Sequence, residues 1–170
     1  MIAPEKSCRS PMTEVRESPI SGRGLFATGF IPAGEMVVRF GGYYTNQKEA
    51  KEAEKNGKLV MRWDTDLFSV EDIGKDEGYF INHSCDSDLW MTDAFTLVAR
   101  RNIYPKQEIT VDYALWEEPH YLAEWLCNCK KPNCRKRITG QDYKKVADDY
   151  KNHFSPFINK LLYWDMLRVF

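Results

Sequence analysis

Three cysteines within eight residues, Cys127-Asn128-Cys129-Lys130-Lys131-Pro132-Asn133-Cys134, carry the strongest chemical signal in this chain. Thiolates at that spacing can converge on one tetrahedral zinc ion. The five cysteines are an odd number and cannot all pair into disulfides, so in a reducing compartment metal binding is the expected use of the cluster. A fourth ligand is missing locally; Cys85 is the natural candidate and His83 the alternative, while Cys8 lies in a stretch without another ordering signal. A second group, Asn82-His83-Ser84-Cys85, is entered from the apolar Tyr79-Phe80-Ile81 and can either recognise a polar ligand or lock a buried crossing. Residues 108–113 alternate as a strand and deliver Tyr113 at their end. Gly22-Arg23-Gly24-Leu25 has two glycines one apart, which permit close backbone approach to a ligand or a tight bend. The third glycine and following helix of a dinucleotide fingerprint are missing.

Short strands must position these groups. Residues 35–40, 58–63, 67–71, 95–100 and 108–113 are rich in Val, Phe, Thr and Tyr. Pro32-Ala33-Gly34, Asn56-Gly57, Gly74 and Pro105-Lys106 break them into small sheets. Residues 47–55 read as a polar surface helix that Asn56-Gly57 stops. Beyond Gly140, Tyr143, Val146 and Tyr150 fall at helical spacing, and Ser155-Pro156 forms a cap and first turn for a last helix. Phe157, Ile158, Leu161, Leu162, Trp164, Met166 and Leu167 surround much of that helix, which predicts burial against the domain or against a second copy in a homodimer.

A chain of 170 residues suits one core, and 43% hydrophobic content is too rich for disorder. The net charge of -1 lacks the basic excess of a dedicated nucleic-acid binder. Apolar runs fall far short of the roughly 18 residues of a membrane span, and residues 1–12 show no signal-peptide core, so an intracellular protein, cytoplasmic or nuclear, is expected. The basic run Lys130, Lys131, Arg135, Lys136 and Arg137 supports a competing reading as a zinc-stabilised binding module for protein or nucleic acid.

Taken in order, the four motifs resemble the SET-domain family of protein lysine methyltransferases, from about Val15 to about Tyr143. The resemblance rests on Asn82-His83-Ser84-Cys85, on Glu108-Ile109-Thr110 with Asp112-Tyr113, and on the Cys-x-Cys-x4-Cys spacing of a post-SET segment. It implies a mainly β fold of several small twisted sheets with a knot-like crossing, divided into an N-terminal tail at 1–12, the SET domain at 13–117, the zinc-binding post-SET segment at 118–140 and C-terminal helices at 141–170. It also implies that S-adenosylmethionine is held by Gly22, Arg23, Gly24, Leu25, Asn82 and His83, that Tyr113 is catalytic and touches the cofactor, and that Cys85 joins Cys127, Cys129 and Cys134 around one structural zinc. Phe40, Tyr79 and Val111 would line a channel for the lysine of a protein substrate, histone or other; Tyr43 and Tyr44 are alternatives to Phe40 if the register differs. Trp125 and the C-terminal helices are expected to close over the cofactor side.

The chemistry implied needs few groups. A lysine amine attacks only when neutral, and its ordinary pKa is roughly 10.4. A narrow apolar channel favours the neutral form by desolvation, and a nearby sulfonium cation acts in the same direction. Proximity and alignment then supply most of the acceleration. Valine at 111, where the family carries an aromatic, would leave room beside the amine and predicts products beyond monomethyl-lysine.

Overall fold

The computed structural model describes residues 5–71 and 77–167; Gly74 lies outside them. The chain forms β1 (Cys8–Arg9), β2 (Thr13–Glu17), β3 (Arg23–Ala27), β4 (Met36–Arg39), β5 (Tyr43–Thr45), α1 (Gln47–Lys55), β6 (Leu59–Asp64) and β7 (Leu67–Glu71). It continues through β8 (Leu89–Met91), β9 (Thr96–Ala99), β10 (Glu108–Ile109), α2 (Ala147–Tyr150) and α3 (Pro156–Leu167), with 3-10 turns at Tyr113–Leu115 and Asp142–Lys144. The strands make three antiparallel sheets in the orders β1-β4-β9-β8, β10-β3-β2 and β5-β7-β6. No helix among the described residues is long and apolar enough to cross a membrane.

The helix expected over 47–55 forms because the Asn46 side chain accepts the N–H groups of Lys48 and Glu49, and it ends at Asn56 before Gly57, whose φ of +75° suits a residue without Cβ. Behind it β6 and β7 form a hairpin, whose Trp63 is fully buried and donates its indole N–H to Ser69 at 2.9 Å. An aromatic core joins the sheets: the Phe40 ring lies 5.1 Å from Trp63 and 5.0 Å from Tyr79.

Four expectations need correction. The strand expected over 108–113 pairs with β3 only at Glu108–Ile109, because Thr110 gives its N–H and hydroxyl to the Asp88 carboxylate. Tyr113 therefore opens a 3-10 turn, with Asp112 as its cap, instead of ending a strand. The stretch around Cys8 is ordered: β1 pairs with β4 at the edge of a sheet, although residues 1–12 read as a tail. The last helix buries Phe157 and Ile158 but leaves Tyr163, Trp164, Met166 and Leu167 half or more exposed. Its apolar face is used only in the first turns, where Phe157 packs under the Arg62 guanidinium and Lys160 reaches Asp64. Finally, α3 rests on β6, away from Asn82 and His83, so it does not cover the side assigned to the cofactor.

Candidate active site

Residues 82–84 run beside Val111: the Val111 N–H donates to the Asn82 carbonyl and the Ser84 N–H to the Val111 carbonyl, both at 3.0 Å. Extended backbone alternates its side chains, which sends Asn82 toward β3 and the buried His83 toward Tyr113. The Asn82 amide donates to the carbonyls of Ser21 (3.0 Å) and Arg23 (3.2 Å) and to Glu108 Oε1 (2.9 Å). Glu108 also accepts from Ser18 at 2.7 Å, so one carboxylate and one amide clamp the glycine turn. Gly24 must lack a side chain here: a Cβ would stand 2.3 Å from Glu108 Oε1 and 2.9 Å from Asn82 Nδ2. Gly24→Ala should therefore lower stability by about 1–3 kcal/mol and weaken cofactor binding through a displaced Asn82. Thermal denaturation and calorimetric titration with S-adenosylmethionine check this; an unaltered Tm and affinity together would show that the clamp is dispensable.

His83 accepts the Tyr113 backbone N–H on Nδ1 at 3.2 Å, and its Nε2 faces Cys85 Sγ at 3.3 Å. Burial pushes its pKa down to about 4 against the pull of Asp112, so the ring is neutral near pH 7. The Tyr113 hydroxyl donates to the Ile81 carbonyl at 3.1 Å, which fixes the phenol oxygen. Burial holds that phenol well above its usual pKa, with the Glu117 charge acting the same way.

Two cavities meet at this tyrosine. The larger, of about 570 Å³, is lined by Phe40, Tyr79, Ile81, Trp116 and Glu117 among others. The smaller, of about 210 Å³, is lined by Ile20, Ser21, Asn82, His83, Trp125, Leu126 and Asn128. Tyr113 lines both. Trp125 caps the smaller cavity, with ring centres 6.1 Å from His83 and 6.2 Å from Tyr113. An aromatic lid, apolar walls and amide and imidazole groups in one hollow suit a molecule with an aromatic base and a polar end.

Several predicted site residues stand elsewhere. Phe40 and Tyr79 do line the larger cavity, but Val111 is fully buried between His83 and Leu89 and reaches neither hollow. The basis for expecting products beyond monomethyl-lysine is thereby removed, and Trp116 supplies the aromatic wall instead. Leu25 is fully buried in β3, and Arg23 lays its guanidinium over the Phe80 ring at 3.8 Å, so a contact from the glycine turn to the cofactor, expected from its backbone, would not use these side chains. Tyr44 donates to the Phe40 carbonyl and Tyr43 is exposed, which leaves Phe40 as the channel aromatic of that segment.

The sulfur atoms of Cys85, Cys127, Cys129 and Cys134 all lie within 4.8 Å of one another, without Cys8 or His83 among them. The Cys85 to Cys127 separation is 3.9 Å; a tetrahedron of thiolates about 2.3 Å from zinc needs sulfurs roughly 3.8 Å apart. The set fits a zinc ion. Burial pushes the Cys85 thiol up to about 11 and Cys127 higher still. Burial opposes charge on Cys129 as well, but hydrogen bonds from backbone and neighbouring thiols bring it to about 7.

Arg135 fastens this cluster to the tyrosine. Its backbone N–H donates to Cys85 Sγ at 3.3 Å, and its guanidinium grips Asp112 at 2.8 and 2.5 Å and Asp142 at 2.8 Å. Asp112 in turn accepts the Ala114 N–H at 3.0 Å beside Tyr113. In the sequence Arg135 stands only as a member of the basic run that supports a binding module; its position directly after the third cysteine was the available signal of an internal role. Lys131 faces Asp86 and Arg137 donates to the Ala123 carbonyl, so the basic run is partly consumed by internal partners. Glu108 was quoted only as part of the motif that carries the resemblance, with no role of its own, and Glu117 was missed because a single carboxylate in a charged chain carries no pattern.

The sequence profile of the SET domain matches residues 22–114, more than half of the chain. An H3 lysine-4 specific histone-lysine N-methyltransferase of Mycosarcoma maydis is 27% identical over 142 residues, which cover 75% of this chain and 10% of that protein. Human histone-lysine N-methyltransferase 2B is 31% identical over 135 residues, 72% of this chain and 5% of that protein. The chain thus spans a tenth or less of the length of these relatives. The crystal structure of the methyltransferase domain of human histone-lysine N-methyltransferase SETMAR superposes with a TM-score of 0.58 at 21% identity, covering 85% of this chain and 58% of that one, which shows a shared fold.

Proposed function

The chain belongs to the SET-domain family, and from that premise we propose that it is a protein-lysine methyltransferase acting on the side-chain amine of lysine in a protein substrate. One observation carries the reading: Tyr113 lines both cavities, so a lysine entering from one and a methyl donor held in the other would meet at its hydroxyl. S-adenosylmethionine supplies a sulfonium-bound methyl group when bound, and zinc has a structural part only.

Asn82, His83, Trp125 and Asn128 would hold the donor, the side-chain amides meeting its polar groups and the imidazole and indole rings packing against its base. Phe40, Tyr79 and Trp116 would surround the lysine stem and strip water from its nitrogen, favouring the neutral amine. The Tyr113 hydroxyl spends its proton on the Ile81 carbonyl, which leaves its oxygen lone pairs to accept an N–H of the amine and turn the nitrogen lone pair toward the smaller cavity. Core histones are the first substrates to try, as the relatives are named for histone lysines. An intracellular site of action, cytoplasmic or nuclear, goes with that choice. The binding-module reading loses support because Arg135, the centre of its basic run, is tied to Asp112 and Asp142.

The test is transfer of label from methyl-tritiated S-adenosylmethionine to core histones, with the modified residue identified by mass spectrometry. Label on lysine is the expected result. Its absence on histones and on a whole-proteome extract would overturn the reading.

A further inference from the structure

One charged group in the larger cavity has no part in the account above. Glu117 follows the 3-10 turn that Tyr113 opens, and its N–H donates to the Tyr113 carbonyl at 3.0 Å, a four-residue helical step. The partly buried Glu117 lines the same cavity as Tyr113. Its neighbour Glu118 is engaged by Arg62 at 3.2 and 3.3 Å. Among the described residues, no cation or side-chain donor is paired with Glu117.

We infer that Glu117 is a further catalytic residue, the group that draws the substrate ammonium into the cavity and accepts its proton before methyl transfer. The inference rests on the lysine methyltransferase reading. In the step, an N–H bond of the ammonium breaks, its electron pair stays on nitrogen, and the proton moves to the Glu117 carboxylate. The nitrogen lone pair then forms the bond to the methyl carbon while the carbon–sulfur bond of the donor breaks toward sulfur. A methylammonium, a thioether and a protonated Glu117 result, and the carboxyl proton returns to solvent when the product leaves.

Other groups of the cavity are less suited. The Tyr113 phenol is held protonated by burial and donates to Ile81. Burial likewise raises Tyr121. Glu118 is held by Arg62; Glu54 on α1, Tyr79 and His120 complete the titratable lining. Burial, and next the charge of Glu118, push the Glu117 carboxyl up to about 7. A base of that strength takes a proton far more readily than an ordinary carboxylate and is about half ionised at pH 7.

The isosteric Glu117→Gln keeps the shape and removes the acceptor. With tritiated S-adenosylmethionine and core histones, kcat/KM at pH 7 should fall about 100-fold. The deficit should narrow toward pH 10, where solvent supplies the neutral amine. A loss equal at every pH, or no loss, overturns the inference. A second measurement does not depend on turnover: the Glu117 side-chain carboxyl resonance is titrated in the protein without cofactor, with n-butylammonium chloride or with n-butanol. The cation should lower the titration midpoint from near 7 and the alcohol should not; equal midpoints overturn cation recognition by Glu117. If wild-type protein methylates no lysine while the midpoint still moves, the methyltransferase reading fails and the recognition of a cation by Glu117 stands.

Discussion

Tyr113→Phe is expected to lower kcat for methyl transfer about 1,000-fold while leaving affinity for S-adenosylmethionine within a factor of two or so. The loss is confined to the chemical step because the tyrosine's other attachments do not use its oxygen. Its backbone N–H still donates to His83 Nδ1, and its ring still stands edge-on to Trp125. The hydroxyl is removed, together with its bond to the Ile81 carbonyl, from the tyrosine that, among the described residues, lines both cavities. An amine without that acceptor rotates freely, and misalignment in a displacement reaction costs rate rather than binding. Rapid-quench measurement of a single turnover, beside calorimetric titration with the cofactor, separates the two quantities. A variant with near wild-type single-turnover rate would remove Tyr113 from the chemistry, and one that loses cofactor affinity in proportion would make it a structural residue.

How far the sequence reveals this site depends on whether the signal is local. The helix at Gln47–Lys55 is legible because its cap, Asn46, and its stop, Asn56-Gly57, are written beside it. The cysteine cluster is legible because three of its four members occupy eight residues, and the fourth follows from the resemblance. Tyr113 was expected at the end of a strand and instead opens a 3-10 turn. Alternation over 108–113 describes a strand, yet the Asp88 side chain, twenty-two residues before Thr110, takes the hydrogen bonds that would have extended the ladder. Val111 shows the same limit: its place two before the tyrosine suggested a channel wall, whereas the bridges to His83 and Leu89 turn it inward. Arg135 and Glu117 were illegible for a different reason. A charge run looks alike whether it is solvated or buried, and only the fold puts Asp112 and Asp142 against Arg135 and leaves Glu117 beside a cavity.

Removal of the metal should abolish activity by a longer route than loss of Tyr113. Four thiols within 4.8 Å, two of them driven toward the protonated form by burial, form a set that a bound cation would hold together. Structural zinc contributes on the order of 10 kcal/mol to the folding of such a segment. Without it, Cys127 to Cys134 lose their anchor on Cys85, and so do the residues between them and the tyrosine. Trp125, Leu126 and Asn128, three walls of the smaller cavity, stand on or next to that segment. Arg135 is displaced along with Cys134, and the fully buried Asp112 is left without its counter-charge, while Asp142 keeps Lys145 at 2.8 Å. An unpaired buried carboxylate costs about 3–5 kcal/mol, enough to loosen the cap that holds the Tyr113 turn. Chelation should therefore lower cofactor affinity at least tenfold or so before any effect on the sheets, and Cys85→Ser should do the same without a chelator. Cys8→Ser, on the exposed edge strand, should keep one zinc per chain and full activity. Elemental analysis with cofactor titration of the three preparations distinguishes the outcomes: full cofactor affinity in metal-free protein would mean that the fold holds Trp125 and Asp112 without the cluster's help, and loss of metal from Cys8→Ser would replace Cys85 in the ligand set.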